Sequence, residues 1–219
     1  MPPRGGFTME RHITVCIGRR YGSGGREVGE LVAQKLGVTC YDKLLIQKAA
    51  KESGMDQGLL ERNDEKLTGE VILPFSGNCF ADAADMGNLF YSAGDSAFEA
   101  EKRAIEDIAG QGSSVIIGRC ASSILAGREG VLSVFLYARE EDRIARIAER
   151  NGLSRHAARE RMDKMDRMRR RYFDFYSMTD WGKPESYDLM LSTSALGIRG
   201  AAELIADLVR KGWGGQSHE

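Results

Sequence analysis

Apolar residues along the chain fall into short continuous runs, and stretches with a helical pattern lie between them. Ile13–Ile17, Ser114–Ile117 and Val131–Tyr137 are too short for helices, and their unbroken apolar character is typical of strands buried on both faces. Val38–Tyr41 and Asp188–Leu191 are two further runs of this kind. Because strands that alternate with helices form parallel sheets covered on both sides, the pattern predicts an α/β fold with a five-stranded parallel sheet. Ile13–Ile17 and Ser114–Ile117 are expected to be central strands.

The helical pattern is clearest directly after the first run. In Glu27–Leu36 the apolar residues recur every three or four positions, and Gly37 follows, where a glycine often ends a helix. Three other segments are predicted to be helical: Lys43–Glu52, Phe98–Ala109 and Ile198–Arg210. Residues 57–97 mix glycine, polar and aromatic residues without a regular period, so we expect an insertion there.

The longest predicted helical segment is also strongly basic. Residues 139–176 are predicted to be helical throughout, and residues 139–171 contain eleven Arg and one Lys against seven acids. Arg143 and Arg150 share one helix face with several acids nearby, which indicates solvent-exposed ion pairs.

A dense arginine cluster follows near the end of this segment, with four arginines between residues 167 and 171. Such a cluster suits a lid that closes over phosphate groups, because a guanidinium can bridge two phosphate oxygens. Arg167 and Arg170 are therefore candidate catalytic residues. A nucleic-acid patch is the less favoured alternative, since aromatic side chains that could stack on bases are confined to residues 172–176.

Composition narrows the class of protein. The chain has 219 residues and a net charge of −1, which suits one ordinary globular domain and gives no reason to expect a nucleic-acid partner. No apolar run approaches the roughly 20 residues that a membrane span needs. Four cysteines without a CxxC pair indicate a reduced, cytoplasmic protein without structural zinc. We expect a flexible tail over residues 1–11 and a single domain over residues 12–219.

The stretch GRRYGSGGREVG, residues 18–29, connects the first predicted strand to the first helix. Free backbone N–H groups and the helix dipole favour phosphate at such a place, and glycines let the backbone approach an anion closely. The candidate phosphate-binding residues are Gly22, Ser23, Gly24, Gly25, Arg26 and Glu27. A tight structural turn without a ligand is the alternative.

This stretch can be compared with two kinds of nucleotide-binding loop. A dinucleotide-binding loop would use Asp42, about twenty residues beyond Gly22, but Glu27 stands where that loop needs a glycine. When the phosphoryl-transfer motif GxxxxGK[ST] is aligned with this stretch, Arg19 stands at the position of the first glycine and Gly25 at the position of the lysine. The Ser or Thr that follows this lysine and contacts Mg²⁺ is missing as well.

Positive charge for such a loop could come from Arg26, or from Arg19 and Arg20 before the turn.

Five ordered motifs resemble the cytidylate kinase-like family, a branch of the P-loop nucleoside monophosphate kinases. They are ITVCIGRRYGSGGREVG, CYDKLLI, VIIGRCASSIL, VFLYAREEDRIARI and WGKPESYDLMLSTSALG, and the resemblance runs from about residue 13 to residue 208. The resemblance implies an adenylate-kinase-like fold, with residues 57–97 on the monophosphate side and residues 150–176 as a helical lid. It also implies transfer of the γ-phosphate of ATP to CMP or dCMP with Mg²⁺, so that small-molecule nucleotides are the expected partners.

The chain departs from the family pattern at two places. Gly25 replaces the loop lysine, and Ile117-Gly118-Arg119-Cys120 stands where Asp-Gly-Arg-Asp is expected, without the carboxylate that organises magnesium. Arg119 is retained and is a candidate for both catalysis and substrate binding, and a structural ion pair is the less favoured alternative. Two hypotheses follow: a cytidylate kinase-like phosphotransferase, or a nucleotide- or phosphate-binding regulatory protein with little or no transfer activity.

Two acids complete the candidate substrate-binding residues. Asp42, at the end of the second strand, could hold the acceptor nucleotide or magnesium, or could instead cap the following helix. Asp188 resembles the family's acid that recognises the nucleoside or its sugar, although an Asp at the start of a strand is also a common structural feature.

Overall fold

The computed structural model describes residues 12–42 and 98–213. The strands in these residues are β1 (Thr14–Arg19), β2 (Thr39–Tyr41), β3 (Ser114–Ile117), β4 (Val131–Tyr137) and β5 (Leu189–Ser192). The helices are α1 (Gly25–Leu36), α2 (residues 98–111), α3 (Ala121–Ile124), α4 (Glu140–Asn151), α5 (Arg155–Tyr176) and α6 (Thr193–Arg210). The predicted tail, the predicted helix Lys43–Glu52 and the predicted insertion over residues 57–97 lie outside the described residues.

The five strands form one parallel sheet in the order β2-β3-β1-β4-β5. In register, Ile17 of β1 pairs with Ile117 of β3 on one side and with Val134 of β4 on the other. The predicted α/β fold with a five-stranded parallel sheet is confirmed, and neither β1 nor β3 lies at an edge.

Alternate residues of the central strands pack against different layers of helices. Val15 and Ile17 belong to a buried cluster with residues of α1 and α6, such as Val32 and Ile205. Cys16 and its neighbours on the opposite face pack against α2. Burial on both faces explains why these strands are continuously apolar in sequence.

Two glycines set the limits of α1. Gly24 adopts a left-handed conformation with φ 77° directly before the helix, and Gly37 does so with φ 68° directly after it. The backbone N–H of Gly37 bonds to carbonyls of the last turn, as expected for a glycine that ends a helix. The loop before Gly24 therefore brings the N-terminus of α1 to the carboxyl edge of the sheet.

The basic segment over residues 139–176 is two helices, so the prediction of one continuous helix is wrong. Gly152 ends α4 in a left-handed conformation with φ 63°. Ser154 then starts α5, because its hydroxyl accepts a hydrogen bond from the backbone N–H of Ala157. Among the described helices, none has both the length and the apolar character that crossing a membrane requires.

Candidate active site at the carboxyl edge of the sheet

A cavity of about 280 Å³ lies at the carboxyl ends of β1 and β3, beneath one face of α5. Ligands of open parallel sheets bind at this edge. Its charged lining residues among the described part of the chain are Arg19, Asp42, Arg119 and Arg169, and its aromatic lining residues are Tyr172, Phe173, Trp181 and Tyr187.

Three guanidinium groups converge on this cavity. Arg19 is the last residue of β1, Arg119 lies two residues beyond β3, and Arg169 comes from α5. Arg169 also donates a 3.1 Å hydrogen bond to the backbone carbonyl of Arg19. Burial, together with the nearby charge of Arg19, lowers the pKa of Arg169 to about 9. Burial lowers the pKa of Arg19 and of Arg119 as well, because it removes water from the charged guanidinium.

Two acids lie close to these arginines. Asp42 borders the cavity, with one carboxylate oxygen 3.9 Å from Nη2 of Arg19. Glu101 of α2 is buried, and its carboxylate lies 3.0 Å from Nη1 of Arg119 and accepts a 2.7 Å hydrogen bond from the Tyr172 hydroxyl. Burial raises the pKa of Glu101 to about 7, and the hydrogen bond from Tyr172 opposes that shift. The described lining of the cavity therefore contains more guanidinium groups than carboxylates.

The turn after β3 holds Arg119 in an uncommon conformation. Gly118, Arg119 and Cys120 all have positive φ values, of 80°, 55° and 56°. A residue with a side chain rarely adopts this region, and such strain often accompanies a functional site. Burial raises the pKa of the Cys120 thiol to about 12, so this side chain stays a neutral thiol at the position where the family pattern expects a carboxylate.

The glycine loop packs tightly beneath α4 and α6. The carbonyl of Gly22 accepts a 2.5 Å hydrogen bond from Arg146, and the carbonyl of Ser23 accepts a 2.7 Å bond from the Thr193 hydroxyl. A side chain at Gly22 would lie 2.7 Å from Ile147, which explains a glycine there. These contacts fix the loop through its carbonyl groups.

No side chain caps the first turn of α1 among the described residues. The buried Ser23 hydroxyl likewise has no hydrogen-bond partner there. The cavity lining includes Gly18 and Arg19 but none of the candidate phosphate-binding residues from Gly22 to Glu27. Arg26 and Glu27 instead pair with Glu30 and Arg150 at 3.0 and 3.1 Å. Phosphate contact by this loop stays a prediction.

Arg143 anchors the same loop from α4. Its Nε donates a 2.7 Å hydrogen bond to the carbonyl of Tyr21, and its Nη2 lies 2.5 Å from the carboxylate of Asp166. Asp166 in turn accepts a 2.7 Å bond from the backbone N–H of Tyr21. The sequence interpretation of Arg143 as solvent-exposed is wrong, because the side chain is buried in this ring of contacts. Arg150 is exposed, as expected.

One arginine of the α5 cluster, Arg169, lines the cavity. The side chains of Arg167 and Arg170 do not line it, although Arg170 lies 5.8 Å from the ring centre of Trp181. Catalytic roles for Arg167 and Arg170 stay predictions.

Asp188 lies directly before β5, beside Ser133 of β4, and does not line the cavity at the carboxyl edge. Its carboxylate accepts hydrogen bonds of 2.7 and 2.6 Å from the backbone N–H and the hydroxyl of Ser133. These bonds favour a structural role at the start of β5, while contact with a nucleoside stays a prediction.

Three residues of the site were not singled out from the sequence. Arg169 and Tyr172 share a helix face with Met165 and Met168, since these positions are three or four residues apart, and that face turns to the cavity. Glu101 precedes the buried Ala104 and Ile105 by three and four positions. The position of a charged residue, Glu101, on an otherwise apolar helix face could therefore have indicated from the sequence that it belongs to the site.

Together, the strand order and the position of the glycine loop and the cavity at the carboxyl edge define an α/β fold like that of the P-loop nucleoside monophosphate kinases. The sequence pattern of the cytidylate kinase-like family matches residues 14–195, and the chain belongs to this family.

Solved structures share the fold at low sequence identity. An uncharacterized protein from Eubacterium ventriosum ATCC 27560 is 24% identical, with a TM-score of 0.68 over 90% of this chain and 98% of that chain. Shikimate kinase from Bacteroides thetaiotaomicron is 14% identical, with a TM-score of 0.52 over 91% of this chain and 99% of that chain. Among curated proteins no sequence match is found.

Proposed function

We propose that this protein transfers the γ-phosphate of ATP to a nucleoside monophosphate in the cytoplasm. Membership of the cytidylate kinase-like family favours CMP or dCMP as the acceptor. The observation that carries the proposal is the convergence of Arg19, Arg119 and Arg169 on one cavity at the carboxyl edge of the sheet.

The arginines suit the electrostatic needs of phosphoryl transfer. Catalysis of this reaction depends mainly on positioning and on stabilising the charge of the transferring group. Arg119 is fixed by the turn after β3 and by Glu101, which makes it the best placed residue for a preorganised phosphate contact. Arg169 lies on α5, so movement of this helix would carry its guanidinium toward or away from the phosphates.

The aromatic and apolar walls suit the flat ring of a nucleobase. Phe173, Trp181 and Tyr187 are buried, and Met165 and Met168 border the same cavity from α5. Small-molecule sites combine such apolar walls with a few charged groups that fix orientation. We propose that the base contacts these walls while the phosphates contact the arginines.

The described residues offer magnesium one carboxylate at the cavity, that of Asp42, rather than a complete set of protein ligands. No group of three or more His, Cys, Asp or Glu side chains in residues 12–42 and 98–213 is arranged to hold a metal ion. Glu27 is paired with Arg150, and Cys120 stays a neutral thiol. Magnesium commonly binds through substrate phosphates and one or two carboxylates. We therefore assign magnesium to the phosphates of ATP, with Asp42 as the carboxylate that borders the cavity.

The same replacements support a second candidate function. With Gly25 at the lysine position and Cys120 at the carboxylate position, the chain could bind nucleotides and regulate a process without efficient transfer. Both functions need the cationic cavity, but only the kinase needs turnover.

A coupled ADP-release assay with ATP and Mg²⁺ tests the two functions on a panel of nucleoside monophosphates. The kinase predicts release that depends on the monophosphate, is greatest with CMP or dCMP, and is lost in Arg119→Ala but kept in the surface control Arg150→Ala. The binding protein predicts no release with any acceptor, together with calorimetric binding of ATP or CMP that Arg119→Ala weakens.

A further inference from the structure

We propose that Arg19 supplies the cation that the loop lysine usually supplies, and that residue 25 is glycine because the Arg19 side chain occupies the space of a side chain there. This inference rests on the proposed phosphoryl transfer. The juxtaposition of Arg19 with two glycines carries it.

The stem of Arg19 excludes any side chain at position 25. A Cβ atom built on Gly25 would lie 2.7 Å from Cβ and 3.0 Å from Cγ of Arg19. Real Cβ atoms essentially never come within 3.0 Å of another atom, and the Cβ of Arg19 cannot rotate away because the backbone of β1 fixes it. An arginine at position 19 and a lysine at position 25 are therefore mutually exclusive.

The head of Arg19 lies against a second glycine. A Cβ atom at Gly118 would overlap Nη1 of Arg19, and Gly118 has a φ of 80° that other residues rarely adopt. The guanidinium therefore lies between the carboxyl ends of β1 and β3, where it borders the cavity with Arg119 and Arg169. Gly25 and Gly118 accommodate this one side chain along its length.

The other two arginines considered for this task do not line the cavity. Arg26 is about half exposed and forms a 3.0 Å contact with Glu30, and its Nε lies 3.7 Å from the carboxylate of Asp42. Arg20 borders a different cavity, next to Tyr137 and Met190. Arg19 is thus the loop arginine that reaches the cavity. Its planar guanidinium suits two phosphate oxygens at once.

A reciprocal exchange tests the proposal. Arg19→Gln removes the charge and keeps most of the stem. The exchange variant, Arg19→Gly with Gly25→Lys, restores a cation from the other side of the same space. The matched control is Arg19→Ala with Gly25→Lys, because the Cβ atom that alanine keeps at position 19 would still collide with the new side chain. Arg150→Gln is a surface control, and melting temperatures confirm that each variant is folded.

Binding of ATP and of inorganic tripolyphosphate is measured by calorimetry, and transfer to CMP is measured separately. We expect Arg19→Gln to weaken binding of both ligands about tenfold or more and to lower kcat on the order of a hundredfold, as for the loss of one stabilising group. We expect the exchange variant to bind both ligands at least about tenfold more tightly than Arg19→Gly alone, since it regains one charged phosphate contact. The matched control should show no recovery.

The proposal is overturned if Arg19→Gln binds both ligands as the wild type does, if a folded exchange variant is no better than Arg19→Gly, or if the wild type binds neither ligand. Absence of transfer in a wild type that binds ATP counts against the proposed kinase function alone. In that case the binding measurements on the same variants still decide whether Arg19 is the phosphate-binding cation.

Discussion

The Arg119 guanidinium and the Glu101 carboxylate lie 3.0 Å apart, and both side chains are largely shielded from solvent. The pair links α2 to the turn after β3, and Tyr172 of α5 adds a hydrogen bond to the same carboxylate. These contacts therefore hold the Arg119 side chain in a fixed orientation within the site. Such preorganisation lets a charged group act on a transition state without first having to rearrange.

Replacement of Arg119 tests its role at the site. Arg119→Ala should lower transfer to a nucleoside monophosphate on the order of a hundredfold, since one lost stabilising group costs about 3 kcal/mol in the transition state. Steady-state kinetics would measure this change, with Arg150→Ala as the control that retains activity.

A double variant separates this effect from simple destabilisation. Arg119→Ala leaves the buried Glu101 carboxylate without this guanidinium, and an uncompensated buried charge is destabilising. Adding Glu101→Gln should restore stability in urea unfolding but leave activity low. Recovery of activity along with stability would show that Arg119 has a structural role only.

The charge of Glu101 should make stability depend on pH. Burial raises its pKa from 4.5 to about 7, so between these values the folded protein holds a proton that the unfolded chain has lost. The contribution of Glu101 to the free energy of unfolding is therefore complete below pH 4.5 and is lost as the pH rises through about 7. Urea unfolding of the wild type and of Glu101→Gln from about pH 4.5 to 8 should show this decline in the wild type alone. An opposite slope would mean that the Arg119 charge outweighs burial.

The buried contacts of Arg143 should matter for stability. Arg143→Ala removes the bonds to Tyr21 and Asp166, so we expect the free energy of unfolding to fall by about 3 kcal/mol. Arg150→Ala, at an exposed ion pair, should change it by less than about 1 kcal/mol. Equal effects of the two substitutions in urea unfolding would contradict the difference in burial.

Replacement of Asp188 distinguishes a structural role from a role in binding the nucleoside. If its bonds to Ser133 are its task, Asp188→Ala should lower the free energy of unfolding by about 1 kcal/mol and leave the affinity for CMP unchanged. Calorimetric titration with CMP measures the second quantity. A loss of affinity in a variant of normal stability would support the contact with the nucleoside that the sequence predicts.

The sheet could be predicted because burial on both faces leaves a strong mark on short strands. Ser114–Ile117 and Val131–Tyr137 are strands with the predicted bounds. The break between α4 and α5 was harder to predict, because Gly152 lies inside a segment whose spacing is otherwise helical on both sides.

The site was less predictable because side-chain direction depends on how the helices pack. Clustering of charge revealed the arginines of α5, but the rotation of that helix against the sheet selects Arg169 rather than Arg167 or Arg170. Neighbouring acids likewise suggested an exposed Arg143. Its actual partners, Tyr21 and Asp166, are 122 and 23 residues away in sequence.

Product analysis of one reaction tests the central claim most directly. Purified protein would be incubated with ATP, Mg²⁺ and CMP, and the nucleotides would be separated by chromatography. A kinase of the proposed type forms CDP and ADP in equal amounts, and Arg119→Ala forms far less of both. ADP without CDP, or no change in any nucleotide across the panel of monophosphates, would contradict phosphoryl transfer by this site.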